Sequence, residues 1–351
     1  MKIETQLPLG NLDPGLRAAS GGLDLARVGD EARLAETLGY DGIVTEETKD
    51  DPFVVLALAA QATERVGLAT GVAIAFPRAP AVTALAAWTL QRLAKGRLTL
   101  GLGSQVKGHI ERRYGMTWTP PGPWMRDYVG ALRAIWKCWQ NGGTKLQYES
   151  EHYKLSLMVP LFAPPPIEHP DIPVQLAAVN PFMCQIAGEV ADGIRAHPVC
   201  TPRYIDEVML PAARKGAAKT GRDFAKFEMA VMPLIATAPD RKGLEARVRD
   251  VRARIAFYAS TPTYLIAFES QGYGEVARNL QSYSRAQRWE EMPGFITDEM
   301  IDHYAVIGTH DEIAGKLKAR FAGVASRLEF AIPVAGDTDK ATLGGLLKSL
   351  R

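Results

Sequence analysis

Cysteine is scarce in this chain. Its three cysteines, Cys138, Cys184 and Cys200, lie far apart and form no C-x-x-C pair. A scattered, odd-numbered set provides neither a disulfide framework nor a zinc site, and it suits a reducing cytoplasm. Cys138 falls in an apolar helical pattern. We therefore interpret each cysteine as a small buried hydrophobic side chain rather than a nucleophile.

Long apolar runs and an excess of one charge are also missing. No uninterrupted apolar stretch approaches the roughly 18 residues that a membrane helix needs. The first residues lead directly into a strand pattern, without the apolar core of a signal peptide. The 41 basic and 39 acidic residues are interspersed and give a net charge of +2. These absences predict a cytoplasmic protein that binds neither a membrane nor nucleic acid.

The hydrophobic content, 47% of the 351 residues, is instead spread over alternating strand and helix patterns. Apolar or alternating segments predict eight strands, over residues 3–9, 40–45, 67–74, 97–103, 174–178, 193–197, 227–236 and 327–333. Helical patterns separate most of them, and Asp51-Pro52 is a typical helix start. A hairpin is expected over 145–155, and a largely helical stretch without a strand signal follows the seventh strand.

Eight strands joined by helices must run parallel, and eight such units can close into a barrel. We therefore predict an α/β fold, a single (β/α)8 TIM barrel over residues 1–351, with a helical insertion at about 240–305. A doubly wound open sheet is the alternative. Against it, no G-x-G-x-x-G follows the first strand, and Gly101-Leu102-Gly103 lacks the third glycine.

The active site of a closed barrel of this kind lies at the carboxyl ends of its strands. The polar groups predicted there are Thr45, Glu46 and Glu47 after strand two, Ser104 and Gln105 after strand four with His109 close behind, Asn180 after strand five, and His197 at the end of strand six. The alternative interpretation of each glutamate is a solvent-exposed charge in a loop. The alternative for His109 is a surface position without a catalytic role. The set contains no nucleophilic triad and no metal-ligand spacing, so no metal is expected.

Small residues at two strand ends indicate close approach to a ligand. Gly71-Val72 interrupts a strand that otherwise reads as central, and such a glycine marks a bulge or a bound group. Ala177-Ala178 leads into a helix near Pro181, whose free backbone N–H groups would suit a phosphate. Tight packing of strand on helix is the alternative for both.

Five segments carry a family resemblance: residues 35–42, 68–72, 96–103, 187–193 and 307–309. In this order and spacing the chain resembles the bacterial luciferase-like superfamily of flavin- and deazaflavin-dependent oxidoreductases over nearly its full length. The segments 105–115 and 257–262 resemble the subgroup that uses the deazaflavin coenzyme F420.

The resemblance implies a non-prolyl cis peptide at Gly71-Val72, behind the cofactor ring. It also implies that the cofactor contacts residues at five strand ends, namely Thr45, Thr70, Gly71, Val72, Gly103, Ser104, Gln105, Ala177, Ala178, Val179, Asn180 and His197. Ala177 to Val179 would line its ribityl-phosphate arm. Glu46 or His109 would handle the substrate proton.

The expected function is F420-dependent hydride transfer to or from a small, hydrophobic or cyclic substrate. The aromatic residues expected to line the pocket are Trp118, Trp124, Tyr258, Tyr264 and Phe268. The basic residues that could meet the acidic cofactor tail are Arg78, Lys107, Arg112 and Arg113.

Three other functions remain as alternatives. One is a monooxygenase that receives reduced FMN from a partner reductase, and another is a cofactor-binding module without turnover. An aldolase or isomerase barrel is disfavoured because no predicted strand ends in lysine. A homodimer is expected through the apolar helices near 54–62 and 82–93.

Overall fold

A closed barrel of eight parallel strands forms the centre of the computed structural model, which describes residues 1–10 and 22–351. In chain order the barrel strands are β1 (Lys2–Gln6), β2 (Gly42–Thr45), β3 (Gly67–Thr70 and Ala73–Ile74), β4 (Leu98–Gly103), β5 (Val174–Ala178), β6 (Gly193–Ala196), β7 (Glu228–Val231) and β8 (Arg327–Glu329). Every neighbouring pair is parallel, and β8 closes the barrel against β1. The predicted (β/α)8 barrel is confirmed.

Helices surround the barrel. Those of the first half are Val28–Leu38, Pro52–Ala62, Pro80–Leu93, a short helix Lys107–Arg112 and Pro121–Gln140. Those of the second half are Pro181–Val190, Pro202–Tyr204 continuing through a π-helical turn into Leu210–Thr220, Arg241–Ala259, Leu265–Glu269, Gly274–Arg285, Asp298–Tyr304, His310–Phe321 and Asp337–Leu350. Asp51 caps its helix as predicted, because its carboxylate accepts from the amides of Phe53 and Val54. The predicted hairpin is also present, as Tyr148–Glu149 paired with Lys154–Leu155.

The prediction of one continuous strand over 227–236 was wrong. β7 ends at Val231, and a separate strand, Leu234–Ala238, pairs in parallel with Ala305–Thr309 outside the barrel. Pro233 separates the two segments, and because proline has no N–H it cannot donate to a ladder. The strand at Ala305–Thr309 was not predicted, while the segment between these two strands is helical, as expected.

The apolar core lies between the strands and the surrounding helices, and its largest fully buried side chains include Trp88, Tyr128 and Tyr204. All three cysteines are buried and unpaired, which agrees with their interpretation as small core residues. Burial raises the pKa of the Cys184 thiol to about 12. None of the described helices combines the length and the apolar content needed to cross a membrane. The number of domains stays a prediction.

Candidate active site

The peptide bond between Gly71 and Val72 is cis, as the family resemblance implied. It interrupts β3, and glycines make room for it. A Cβ atom at Gly71 would lie 2.2 Å from Val44 Cγ1, and one at Gly103 would lie 2.5 Å from Val72 Cγ2. The same Gly103 position is 3.8 Å from the Ala177 Cβ atom. The structure therefore brings β3, β4 and β5 together around a bulge with small side chains, which we call the cis bulge (Gly71, Val72, Gly103).

The hydroxyls of two threonines beside the cis bulge lie within hydrogen-bond distance of backbone carbonyls. Thr70 is fully buried and donates to the Gly101 carbonyl over 2.6 Å. The buried Thr45 hydroxyl lies 3.5 Å from the Pro52 carbonyl oxygen. Their side chains thus shape the wall at β2 and β3, and their predicted contact with a cofactor stays a prediction.

Glu47 and Arg78 hold the segment after the cis bulge. Glu47 Oε2 accepts from the Ile74 amide at 2.7 Å and from Arg78 Nη1 at 2.6 Å. Arg78 Nη2 also donates to Asp51 over 2.9 Å. Glu47 is therefore not a solvated loop charge. Because two carboxylates already bind its guanidinium, Arg78 does not fit the role of a contact for an acidic cofactor tail.

Two glutamates and a glutamine meet at the ends of β1, β2 and β8. Gln6 Nε2 donates to Glu46 Oε1 over 2.9 Å, and Gln6 also lies close enough to Glu329 to influence the pKa of that carboxyl. Burial and the negative charges of Glu46 and Glu4 together raise the pKa of Glu329 to about 8, although the positive charge of Arg195 and the contact with Gln6 lower it. We call Gln6, Glu46 and Glu329 the carboxyl cluster. The sequence interpretation found Glu46 but missed Gln6 and Glu329.

An ion network fills the barrel below the carboxyl cluster. Glu4 binds Arg195 at 3.1 Å and Arg327 at 3.0 Å, and Arg327 binds Glu228 at 2.6 Å. Arg195 reaches under the cis bulge, since its Nη1 atom would be 3.7 Å from a Cβ atom at Gly71. The one signal for these residues in the sequence is the alternation of charged and apolar residues along the strands, as in Arg327-Leu328-Glu329.

The residues after β4 lead to the exposed rim. Gln105 has a positive φ of 58°, and its side-chain oxygen accepts from the Val106 amide at 2.9 Å. The half-buried Ser104 hydroxyl lies 3.3 Å from the Gln105 carbonyl oxygen. His109 is exposed on the helix Lys107–Arg112, which agrees with the alternative of a surface position. Three basic residues of this rim are also exposed, namely Lys107, Arg112 and Arg113.

The end of β5 passes directly into a helix N-terminus. Ala177 and Val179 are half-buried and Ala178 is buried. The exposed Asn180 caps the helix Pro181–Val190, because its side-chain oxygen accepts from the Met183 amide at 2.9 Å. The small residues and the helix N-terminus are therefore adjacent, in the arrangement expected of a phosphate site.

His197, just after β6, lies between two tyrosines of the insertion. Its ring centroid is 4.6 Å from that of Tyr258 and 3.9 Å from that of Tyr264. Burial lowers the pKa of His197 to about 3, so the imidazole is neutral at pH 7. We call these three residues the aromatic cluster. It contains two of the aromatic residues expected in the pocket.

The other expected aromatic residues lie elsewhere. Trp124 stacks on Phe76 with ring centroids 3.8 Å apart, and Trp118 is half-buried. Phe268 was wrongly predicted, because it is fully buried against Tyr304 in the core of the insertion. Among the described residues, no group of three or more His, Cys, Asp or Glu side chains is arranged to hold a metal ion.

Comparison with known proteins gives consistent matches over most of the chain. An uncharacterized protein of Mycobacterium tuberculosis is 42% identical over 327 residues, covering 93% of this chain and 95% of its own length. The 5,10-methylenetetrahydromethanopterin reductase of Archaeoglobus fulgidus is 27% identical, over 88% of this chain and 90% of its own.

A solved structure has the same fold. The coenzyme F420-dependent tetrahydromethanopterin reductase of Methanopyrus kandleri superposes with a TM-score of 0.75 at 19% identity, over 98% of this chain and 97% of that one. The luciferase-like monooxygenase family matches residues 9–327. With its closed barrel, its cis bulge and this match over most of its length, the chain belongs to the luciferase-like monooxygenase family.

Proposed function

We propose that this protein is a coenzyme F420-dependent oxidoreductase that transfers a hydride between the deazaflavin and a small, hydrophobic or cyclic organic substrate. The cis bulge is the observation that carries the proposal, because small residues from three neighbouring strands form a thin wall there, which suits the close approach of a planar ring. The F420 dependence stated for the Methanopyrus kandleri reductase favours the deazaflavin.

The residues present fit such a cofactor. Gly71, Val72 and Gly103 would support its ring, and the segment Ala177 to Asn180 would hold its phosphate arm beside the helix N-terminus. Ser104 and Gln105 would lie towards the tail, and the exposed Lys107, Arg112 and Arg113 would attract the acidic groups of that tail. When bound, the deazaflavin supplies the hydride chemistry, and the protein positions it.

The aromatic cluster after β6 suits an apolar substrate. His197 is neutral and packs between two tyrosine rings, so the aromatic cluster offers a largely uncharged wall. Glu46 lies in the carboxyl cluster, where a carboxylate can take up a proton. His109 remains the second candidate for proton transfer, from the exposed rim.

A reduced-FMN monooxygenase, served by a partner flavin reductase, is the second candidate function. The family's description as luciferase-like monooxygenases favours it. Both cofactors share the ring and phosphate arm, so the cis bulge and the β5 end suit either one. The two differ in the tail, which is long and acidic only in the deazaflavin.

Parallel titrations of the purified protein with reduced F420 and reduced FMN test the proposal. We expect F420 to bind at least about tenfold more tightly, a difference of about 1.4 kcal/mol. Tighter binding of FMN would instead support the monooxygenase.

The variant Gly103→Ala tests the place of binding. Its new methyl group would lie 2.5 Å from Val72 Cγ2 and displace that side chain. We expect a loss of at least about tenfold in cofactor affinity. Gly315→Ala is the matched control, because a Cβ atom there meets no atom within 4 Å. Equal affinity of both variants would place the cofactor away from the cis bulge.

We also propose a cytoplasmic homodimer. The buried, unpaired cysteines suit a reducing compartment. Val54, Val82 and Leu85 are exposed on the helices Pro52–Ala62 and Pro80–Leu93, and a second copy would cover them.

A further inference from the structure

The strand register brings the carboxyl cluster together from the two ends of the chain. Glu4 of β1 lies beside Glu329 of β8, and Gln6 of β1 lies beside Val44 of β2. Glu4 and Gln6 are two residues apart, as are Val44 and Glu46, so side-chain alternation directs each pair to the same face. This face is the barrel interior, because Gln6 contacts Glu46 and Glu4 contacts Arg195 across the barrel.

The ion network leaves Glu329 as a surplus acidic group. The cations that face this interior are Lys2, Arg195 and Arg327. The acidic groups bound by them or by Gln6 are Glu4, Glu228 and Glu46. These cations and anions already match in number. A negative charge on Glu329 would therefore be added to a balanced interior, next to the carboxylates of Glu4 and Glu46.

Glu329 also lies at the end of the barrel where the active site of such a fold is expected. It is half-buried at the carboxyl end of β8, above the ion network. Arg195 binds Glu4 and also lies near Gly71 of the cis bulge. The carboxyl cluster and the cis bulge therefore face the same barrel interior.

We propose that Glu329 is the proton donor of this site, placed beside Glu46 and Gln6 in the carboxyl cluster. The proposal rests on the proposed F420-dependent function for the reaction it serves. Burial and the two neighbouring carboxylates raise the pKa of Glu329 to about 8, which agrees with a neutral acid at pH 7.

A carbonyl compound is a substrate whose reduction needs such a proton donor. With the reduced deazaflavin bound, the carbonyl carbon would receive a hydride with its two electrons as the C=O π bond breaks. The O–H bond of the Glu329 carboxyl breaks as a new O–H bond forms at the substrate oxygen. The product is an alcohol, and the Glu329 carboxylate regains a proton from solvent. The reverse sequence oxidises an alcohol.

Infrared spectroscopy of the protein without cofactor tests the protonation state directly. We expect a carboxylic-acid C=O band at pH 6 that disappears with a midpoint near 8. The band should be absent in Glu329→Gln, and its midpoint should fall in Glu46→Gln, which removes a neighbouring negative charge. In the control Glu189→Gln it should persist, because Arg126 and Lys219 bind Glu189 and lower the pKa of this buried carboxyl despite desolvation.

Absence of the band from the wild-type protein at pH 6, or its persistence in Glu329→Gln, would overturn the proposal. Absence of the band from the wild type needs no variant, so this outcome would overturn the proposal even if Glu329→Gln does not fold. It also needs no cofactor, so failure of F420 to bind would remove the proposed function without changing this result. With F420 and substrate, Glu329→Gln should reduce kcat about a hundredfold or more with little change in KM.

Discussion

At the scale of single residues, burial decides the chemistry of the titratable groups around the barrel mouth. His197 and Glu329 both lie at strand ends, yet burial shifts their pKa values in opposite directions. In each case it favours the neutral form. The mouth therefore combines a neutral imidazole with a carboxyl group that is neutral at pH 7, which suits an uncharged substrate.

His197 should make the stability of the protein depend on pH. Its pKa is about 3 in the folded protein and about 6.5 when unfolded, so the unfolded chain binds more protons between these values. Stability from this group is full above pH 6.5 and is lost as the pH falls. We expect a loss of about 2 kcal/mol between pH 7 and pH 5.

Urea denaturation of the wild type and His197→Phe at both pH values measures the contribution of His197 to the free energy of unfolding. Phenylalanine keeps an aromatic ring between Tyr258 and Tyr264 but does not titrate. The variant should lose about 2 kcal/mol less than the wild type on acidification. An identical loss in both proteins would show that His197 is not buried as a neutral group.

At the scale of elements, variants at two helix caps can distinguish an effect on the stability of the protein from an effect on cofactor binding. Asn180 caps Pro181–Val190 beside the proposed phosphate site, and Asp240 caps Arg241–Ala259 in the insertion. Replacing either residue by alanine should lower the free energy of unfolding by about 1 kcal/mol. Only Asn180→Ala should also weaken cofactor binding. Chemical denaturation and the cofactor titration check the two effects, and equal affinities in both variants would count against a phosphate site at β5.

The sequence predicted those elements whose ends carry a local signal. Asp51-Pro52 marks a helix start, and the bounds of β5 and of the helix Pro181–Val190 were predicted to the residue. The strand Ala305–Thr309 was missed because its partner, Leu234–Ala238, is distant in sequence and lies outside the barrel. The break at Pro233 had a local signal that the alternating pattern around it obscured.

The site was predictable only in part, for a related reason. The cis bulge was found because glycine in a strand is unusual and because the family resemblance pointed to it. Glu329 was missed, since a charged residue within a strand resembles an ordinary solvent-facing position. Glu329 comes to lie beside Glu4 only when the barrel closes and pairs β8 with β1. The strand patterns predicted a closed barrel, but they did not give the register between β1 and β8, which decides the side chains that Glu329 meets.

At the scale of the whole molecule, the exposed apolar residues of the early helices predict dimerisation. Val82 is 59% exposed and Leu85 is 49% exposed on Pro80–Leu93, values that a partner subunit would reduce. We expect Leu85→Glu to shift a dimer towards monomer in sedimentation experiments, because the new charge would be buried. Leu161→Glu is the comparison, since Leu161 is 85% exposed in the loop after the hairpin. A monomeric wild-type protein would contradict the dimer, and dissociation by Leu161→Glu alone would move the interface to that loop.

The proposed function places a deazaflavin at the cis bulge in the barrel mouth of this luciferase-like protein. A crystal structure of the protein grown with both F420 and FMN would show which cofactor binds and where. We expect electron density for F420, with the ring against Gly71, Val72 and Gly103, the phosphate beside Asn180 and the carboxyl cluster facing the ring. Density for FMN, or for F420 away from the cis bulge, would rule out this binding mode.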